Sequence, residues 1–261
     1  MPPKTVINVI DPFLPIQKME LTNSLGLKSK AFAVVLDPEG DAQEVGVVSS
    51  NYNLVSNNEV VEAAFEILKR SGLEHGEMKH AFNGKQFRGR FVMKHPDYGF
   101  DAKSGPELDR VQLVLDVNNS YDGSSRFGLS FNLERLACSN GMMVSHLLGG
   151  FAFKHNSTNQ SEFNAELDAA VQKMQLMSSN ILLLAPKFQN LSKIKMDHKE
   201  IVNSLDELDV SDAVAGRIMR RIEDRNAWSV LNGYTNVYSE NKGFTYDTAN
   251  RKAVDYFLKM A

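Results

Sequence analysis

The chain has 261 residues, 43% of them hydrophobic and 23% charged, and its 29 Lys+Arg against 32 Asp+Glu leave a formal net charge of −3. Those figures exclude a disordered tail, a collagen-like chain and a strongly basic histone-type binder, and they suit one large domain or two small ones. The longest apolar run (181–186) is too short to span a bilayer, residues 1–4 lack the apolar stretch of a signal peptide, and the lone Cys138 excludes an internal disulfide, so a cytoplasmic protein is expected.

Residues 1–30 show no sustained period and read as an irregular arm. Regular pattern begins with the apolar run 31–36, followed by the turn Asp37-Pro38-Glu39-Gly40 and by Val45-Gly46-Val47-Val48, which together predict a β-hairpin. Residues 52–55 continue extended. Asn57 or Asn58 is placed to cap a helix with Glu59 in its first turn, and Val60, Val61, Ala64, Phe65, Ile67 and Leu68 recur at helical spacing until Gly72 closes it.

From residue 80 to 154 the period changes to two. Phe87, Gly89, Phe91 and Met93 alternate with Arg88, Arg90, Val92 and Lys94. Val111, Leu113, Leu115 and Val117 alternate with Gln112, Val114 and Asp116, and Phe127, Leu129, Phe131 and Leu133 with Arg126, Gly128, Ser130 and Asn132. Three strands with one apolar and one largely polar face predict an antiparallel sheet packed on one side only, with a fourth short strand at 151–154. Leu167, Val171, Met174, Met177 and Ile181 then form one stripe of an amphipathic helix over 164–185, stopped by Pro186. Residues 187–199 read as a loop, and helical patterns follow near 204–209, 211–224, 227–231 and 250–260, with Ser204 and Glu207 at capping-box spacing. The order predicts an α+β fold: an arm (1–30), a core with an antiparallel sheet of three to five strands covered by helices (31–185) and a helical C-terminal region (186–261).

Phosphate-loop, dinucleotide-binding, zinc-protease and nucleophile-elbow motifs are absent. His75, His80 and His95 share one region but no acidic residue shares their spacing, so neither a metal nor a cofactor is expected. Two segments carry concentrated polar chemistry: residues 118–125 (Asn-Asn-Ser-Tyr-Asp-Gly-Ser-Ser) and 135–141 (Arg-Leu-Ala-Cys-Ser-Asn-Gly). Either is a turn between strands or a loop that meets a ligand.

Asn118-x-Ser120-x-Asp122-Gly123-Ser124, Arg135-x-x-Cys138-x-Asn140, and His155 ahead of a long helix resemble the phage/plasmid-like family catalogued as domain of unknown function 932. Gly46-Val47-Val48-x-x-x-Tyr52-x-x-Val55-x-Asn57-x-Glu59 and Trp228-x-x-x-Asn232-x-x-Thr235 extend the resemblance from about residue 30 to 240. Asn119 stands where that family commonly has His, which weakens any proposal of a catalytic histidine there. The resemblance implies a mobile-element origin and a cytoplasmic setting, and no reaction.

Function is then sought in side-chain chemistry. Residues 1–74 carry 6 Lys+Arg and 10 Asp+Glu (−4), whereas residues 75–160 carry 10 and 8 (+2). A sheet face presenting arginines, hydroxyls and amides suits a sugar–phosphate backbone, and neighbouring aromatics such as Phe82, Tyr98 or Tyr121 suit unpaired bases. The expected nucleic-acid-binding residues are Arg88, Arg90, Lys94, Tyr121, Arg126, Ser130, Asn132, Arg135 and Lys154. The order helix, three antiparallel strands, long helix is also similar to the core of single-strand annealing proteins, which form rings on single-stranded DNA. The leading expectation is a non-enzymatic, homo-oligomeric protein that binds single-stranded DNA or RNA in recombination or replication. The alternatives are a module that binds a host protein through the acidic N-terminal third and counters a defence system, and an enzyme using Asp122, Ser124, Arg135 and His155.

Overall fold

The computed structural model describes residues 10–102, 109–137, 140–144, 148, 150–153, 165, 168–173, 177–240 and 244–261. The predicted hairpin is present as β2 (Lys28–Leu36) and β3 (Gln43–Ser49), paired antiparallel with Val34 opposite Gly46. Contrary to the expected irregular arm, β1 (Ile16–Thr22) adds a third strand by pairing with β2. Lys18 hides the alternation there: it takes a β1 position beside Val34, and its ammonium sits over the Phe32 ring, 5.0 Å from its centroid, and donates to the carbonyls of Ser50 and Tyr52 at 2.9 Å. Residues 52–55 join no strand.

Helix α1 spans Asn57–Arg70, and its cap falls one residue before Asn57 and two before Asn58, the two positions predicted for it. Ser56 is the N-cap, and its hydroxyl and Glu59 form a reciprocal capping box. The buried side of α1 (Val60, Ala64, Ile67, Leu68) belongs to the main core, and the helix packs on β7 (Arg110–Ser120).

The main sheet runs in the order β10 (Gly150–Phe153), β8 (Phe127–Arg135), β7, β5 (Gln86–Val92), β4 (Lys79–Phe82). The short β6 (Gly99–Asp101) pairs with β7, and β9 (Asn140–Met142) with β8. All pairings are antiparallel, so the fold is α+β as expected. The register puts Phe91, Leu115 and Phe131 in one row and Arg90, Asp116 and Ser130 in the next, one row on each face. The first face is the core, with Phe91, Leu115 and Phe131 fully buried.

Past Pro186 the helix does not stop: α2 spans Met177–Leu191. Its buried stripe of Ile181, Ala185, Phe188 and Leu191 continues across the proline. The i−4 residue, Leu182, is exposed, so water can satisfy the carbonyl that the proline leaves without a donor. Much of the expected 187–199 loop is therefore helical. Helix α3 (His198–Glu207) starts at an Asp197/Glu200 capping box, with bonds of 2.8 and 2.7 Å. Ser204 caps nothing; it is buried within α3 and bonds to Ile201 O and the Tyr234 hydroxyl. Helices α4 (Asp212–Met219), α5 (Ala227–Glu240) and α6 (Phe244–Leu258) complete the chain.

The polar face of the main sheet is not left bare. Helix α5, with α6 beside it, packs on β9, and both reach over the end of that face.

Candidate binding cleft on the polar face

The polar motifs sort by place along the β7–β8 hairpin. At its turn, residues 118–125 meet the N-terminal signature. Tyr121 is buried, and its hydroxyl accepts the Asn57 N–H at the start of α1 (3.1 Å). Asn119 donates to Val55 O and Asn57 Oδ1, Asn57 donates to Pro12 O, and the Tyr52 hydroxyl donates to Ser120 O at 2.8 Å. Burial pushes the phenols of Tyr52 and Tyr121 up to about 12. A Cβ on Gly46 would lie 2.7 Å from Tyr121 O and 2.8 Å from Asp122 Cα, so only glycine lets β3 approach this turn so closely. Ser120 and Ser125 close the turn on themselves, and Asp122 caps the Ser124 N–H. These residues form a clasp that joins the N-terminal sheet and α1 to the main sheet.

The open end of the hairpin carries a second clasp. The Asp109 carboxylate accepts Arg135 Nε at 2.5 Å on one oxygen and Trp228 Nε1 at 2.7 Å on the other. Asn232 then donates to Trp228 O, one turn along α5. Arg135 and the Trp228/Asn232 pair thus tie the sheet to the C-terminal helices.

Between the clasps, on the polar face, lies a half-open cleft of about 290 Å³ lined by Lys79, His80, Arg88, Arg90, Asp116, Asn118 and Glu134 from the sheet and by Tyr238, Ser239, Asp247 and Asn250 from α5 and α6. At its floor the Arg90 guanidinium donates Nε to Asp116 Oδ1 (2.5 Å), Nη2 to Asp116 Oδ2 (2.9 Å) and Nη1 to Glu134 Oε2 (3.0 Å). Asn132 donates to Asp116 Oδ2 (2.8 Å) and accepts the Val144 N–H (3.0 Å). Burial opposes the charge on Arg90, yet Asp116 and Glu134 together hold its pKa above the ordinary arginine value. A Cβ on Gly141 would sit 2.8 Å from Arg90 Nη1, so this glycine makes room for the guanidinium.

At the mouth, Lys79 Nζ stands 3.8 Å from Glu134 and stays two-thirds exposed, while Arg88 forms a two-pronged pair with Asp247 of α6 (3.2 and 2.7 Å). His80 lies against Phe87 and Phe13. Three cations, Lys79, Arg88 and Arg90, thus face three carboxylates, Asp116, Glu134 and Asp247.

The expected site residues separate accordingly. Arg88, Arg90, Ser130 and Asn132 do share the polar face, but Asn132 is fully buried and both arginines are paired with carboxylates rather than open to a polyanion. Arg126, just ahead of β8, is exposed, as is Lys94 beyond the end of β5. Arg135 points into the second clasp, and Tyr121 is buried in the first with no ring face open for stacking. Lys154, Cys138 and His155 lie outside the described residues. Asp122 and Arg135 stand at opposite ends of the hairpin, about 30 Å apart at strand rise, so they do not share a site. Lys79, His80, Tyr238, Ser239 and Asp247 escaped the expected set. The short β4 and the α6 start have no clear period, and only the repeated Lys-His pairs (79–80 and 94–95) hinted at the first two. Among the described residues no group of three or more His, Cys, Asp or Glu is placed to hold a metal ion. Nor is any described helix long and apolar enough to cross a membrane.

This architecture, an antiparallel sheet clasped at both ends of its central hairpin with a charge-balanced cleft between, is an α+β fold. Residues 44–252 match the family described as Domain of unknown function (DUF932), and the chain belongs to it. No curated protein and no solved structure matches.

Proposed function

We propose that the chain acts by binding, and that its ligand is single-stranded nucleic acid, one nucleotide of which sits in the polar cleft. The observation that carries this reading is the mixed lining. Lys79 and Arg88 suit a phosphate, while Asn118 suits sugar hydroxyls and base amines. A nucleotide presents both kinds of group; a bare anion presents one. The volume also suits a single small unit and not a duplex. Because the cleft is charge-balanced, the rest of the strand would draw on cations outside it, Arg126 foremost. A free nucleotide is the other source of the same chemistry. Recombination or replication, and assembly of several copies on one strand, remain part of the proposal.

The test is titration of a labelled oligothymidylate and of thymidine monophosphate over a range of salt. Lys79→Ala and Arg126→Ala should each weaken oligonucleotide binding and reduce the salt slope by about one. Equal affinity for the mononucleotide would assign the free nucleotide. No binding of either at low salt, or indifference to both substitutions, would end the reading. Mass in solution with and without the oligonucleotide reads the assembly.

A second reading is a protein-interaction surface on the N-terminal sheet. It is favoured by Leu25 and Leu27, 80% and 63% exposed at the β1–β2 turn. Leu25→Ser with Leu27→Ser should then abolish recovery of a partner protein and leave oligonucleotide binding intact.

A further inference from the structure

We infer that the Arg88–Asp247 pair is an autoinhibitory contact: the α6 carboxylate occupies the guanidinium that a ligand phosphate would take, so binding requires the first turn of α6 to give way. The inference rests on the cleft being the binding site. Both prongs of Arg88 are used, at 3.2 and 2.7 Å, which is the geometry in which arginine also grips a phosphate.

Accessibility distinguishes this pair from its neighbour. The Arg88 and Asp247 side chains are 32% and 31% exposed, whereas the partners of Arg90 are 12% and 2% exposed. A dissolved anion can therefore reach Arg88 and exchange with Asp247, while Arg90 stays committed. A pair about a third exposed is partly screened by solvent and has a small net worth, so exchanging one oxyanion for another meets little resistance.

The second tie of α6 is of another kind. Asn250, three residues on and so on the same side of the helix, donates to Gly141 O (2.9 Å) and accepts the Met143 N–H (3.1 Å). An anion is drawn to such a neutral amide–backbone tie far less than to a guanidinium. The charged tie can open while the neutral one holds, which confines the movement to the start of α6 and leaves the helix docked.

Two readouts test this in the full chain: oligothymidylate affinity, and amide hydrogen exchange over residues 246–250. Asp247→Asn should tighten oligothymidylate binding by up to about fivefold and speed exchange over 246–250. In the unmodified chain the oligonucleotide should speed the same amides. Arg88→Ala should weaken binding, and Arg88→Ala with Asp247→Asn should bind no better than Arg88→Ala alone. Tighter binding by the double variant than by Arg88→Ala would show general charge repulsion and overturn the inference. So would an Asp247→Asn chain that is folded and binds no tighter. If Arg88→Ala abolishes binding while Asp247→Asn changes nothing, the cleft stands as the site and only autoinhibition falls. If no variant binds the oligonucleotide or thymidine monophosphate, the binding reading itself fails, and the competition fails with it, whatever the exchange shows.

Discussion

Arg90 is the residue on which the floor of the cleft depends. Asp116 and Glu134, 12% and 2% exposed in their side chains, have it as their main counter-charge, because Lys79 reaches only Glu134 and at 3.8 Å. Arg90→Ala leaves two buried carboxylates uncompensated and should cost about 3–5 kcal/mol of stability in denaturant unfolding. Arg90→Lys should recover only part of that, since an ammonium cannot serve both carboxylates with a planar fork. The clasp tyrosines give a pH prediction. Their folded pKa values of about 12 lie above the unfolded value near 10, so the folded chain holds these protons more tightly. Their contribution is fully present below pH 10 and is lost as pH rises towards 12. Unfolding midpoints should therefore be insensitive to these groups up to pH 10 and fall beyond it, together with the rise of phenolate absorbance; Tyr52→Phe should reduce the fall. The polar residue types at 118–125 and 135 were visible in the sequence, but their direction was not. Tyr121 and Arg135 have the chemistry of ligand-binding side chains and serve as internal ties, because partners far along the chain, Asn57 and Asp109, reach them first.

Among the elements, the strands of the main sheet were legible because one buried face imposes a strict alternation, which β5, β7 and β8 show. Strands β1, β4, β6 and β9 were not, being short or having their inward positions filled by amphipathic residues such as Lys18. Proline misled in the other direction. Local propensity ends a helix at Pro186, but burial of Phe188 and Leu191 continues α2 beyond it. The covering of the sheet's polar face was not legible at all, for no periodicity within β5 or β7 can announce that Asp247, far along the chain, will meet Arg88. The docking of the N-terminal sheet has its own test. Gly46→Ala puts a methyl group against the backbone of Tyr121 and Asp122, which cannot swing aside as a side chain would. It should destabilise the chain by about 1–3 kcal/mol, and hydrogen exchange should locate the loss in β2 and β3, leaving β8 and α5 protected.

Across the whole molecule, the chain's one tryptophan reports on the end remote from that docking. Trp228 is fully buried, and its indole N–H is held by Asp109. Its native emission should be that of an apolar environment and should shift red only as the C-terminal helices separate from the sheet. Asp109→Ala removes the partner of both Trp228 and Arg135 and should cost about 3–5 kcal/mol, with a change in tryptophan emission at the first sign of unfolding. Gly46→Ala should leave the native emission unaltered. Comparing the two variants asks whether the chain melts as one cooperative unit or from one end. The clasps have a mechanical corollary. A span anchored at both abutments cannot sag in the middle, so a guest resting on the β7–β8 deck gains little from backbone accommodation. On the binding reading proposed above, its fit must come from rotamers and from the start of α6.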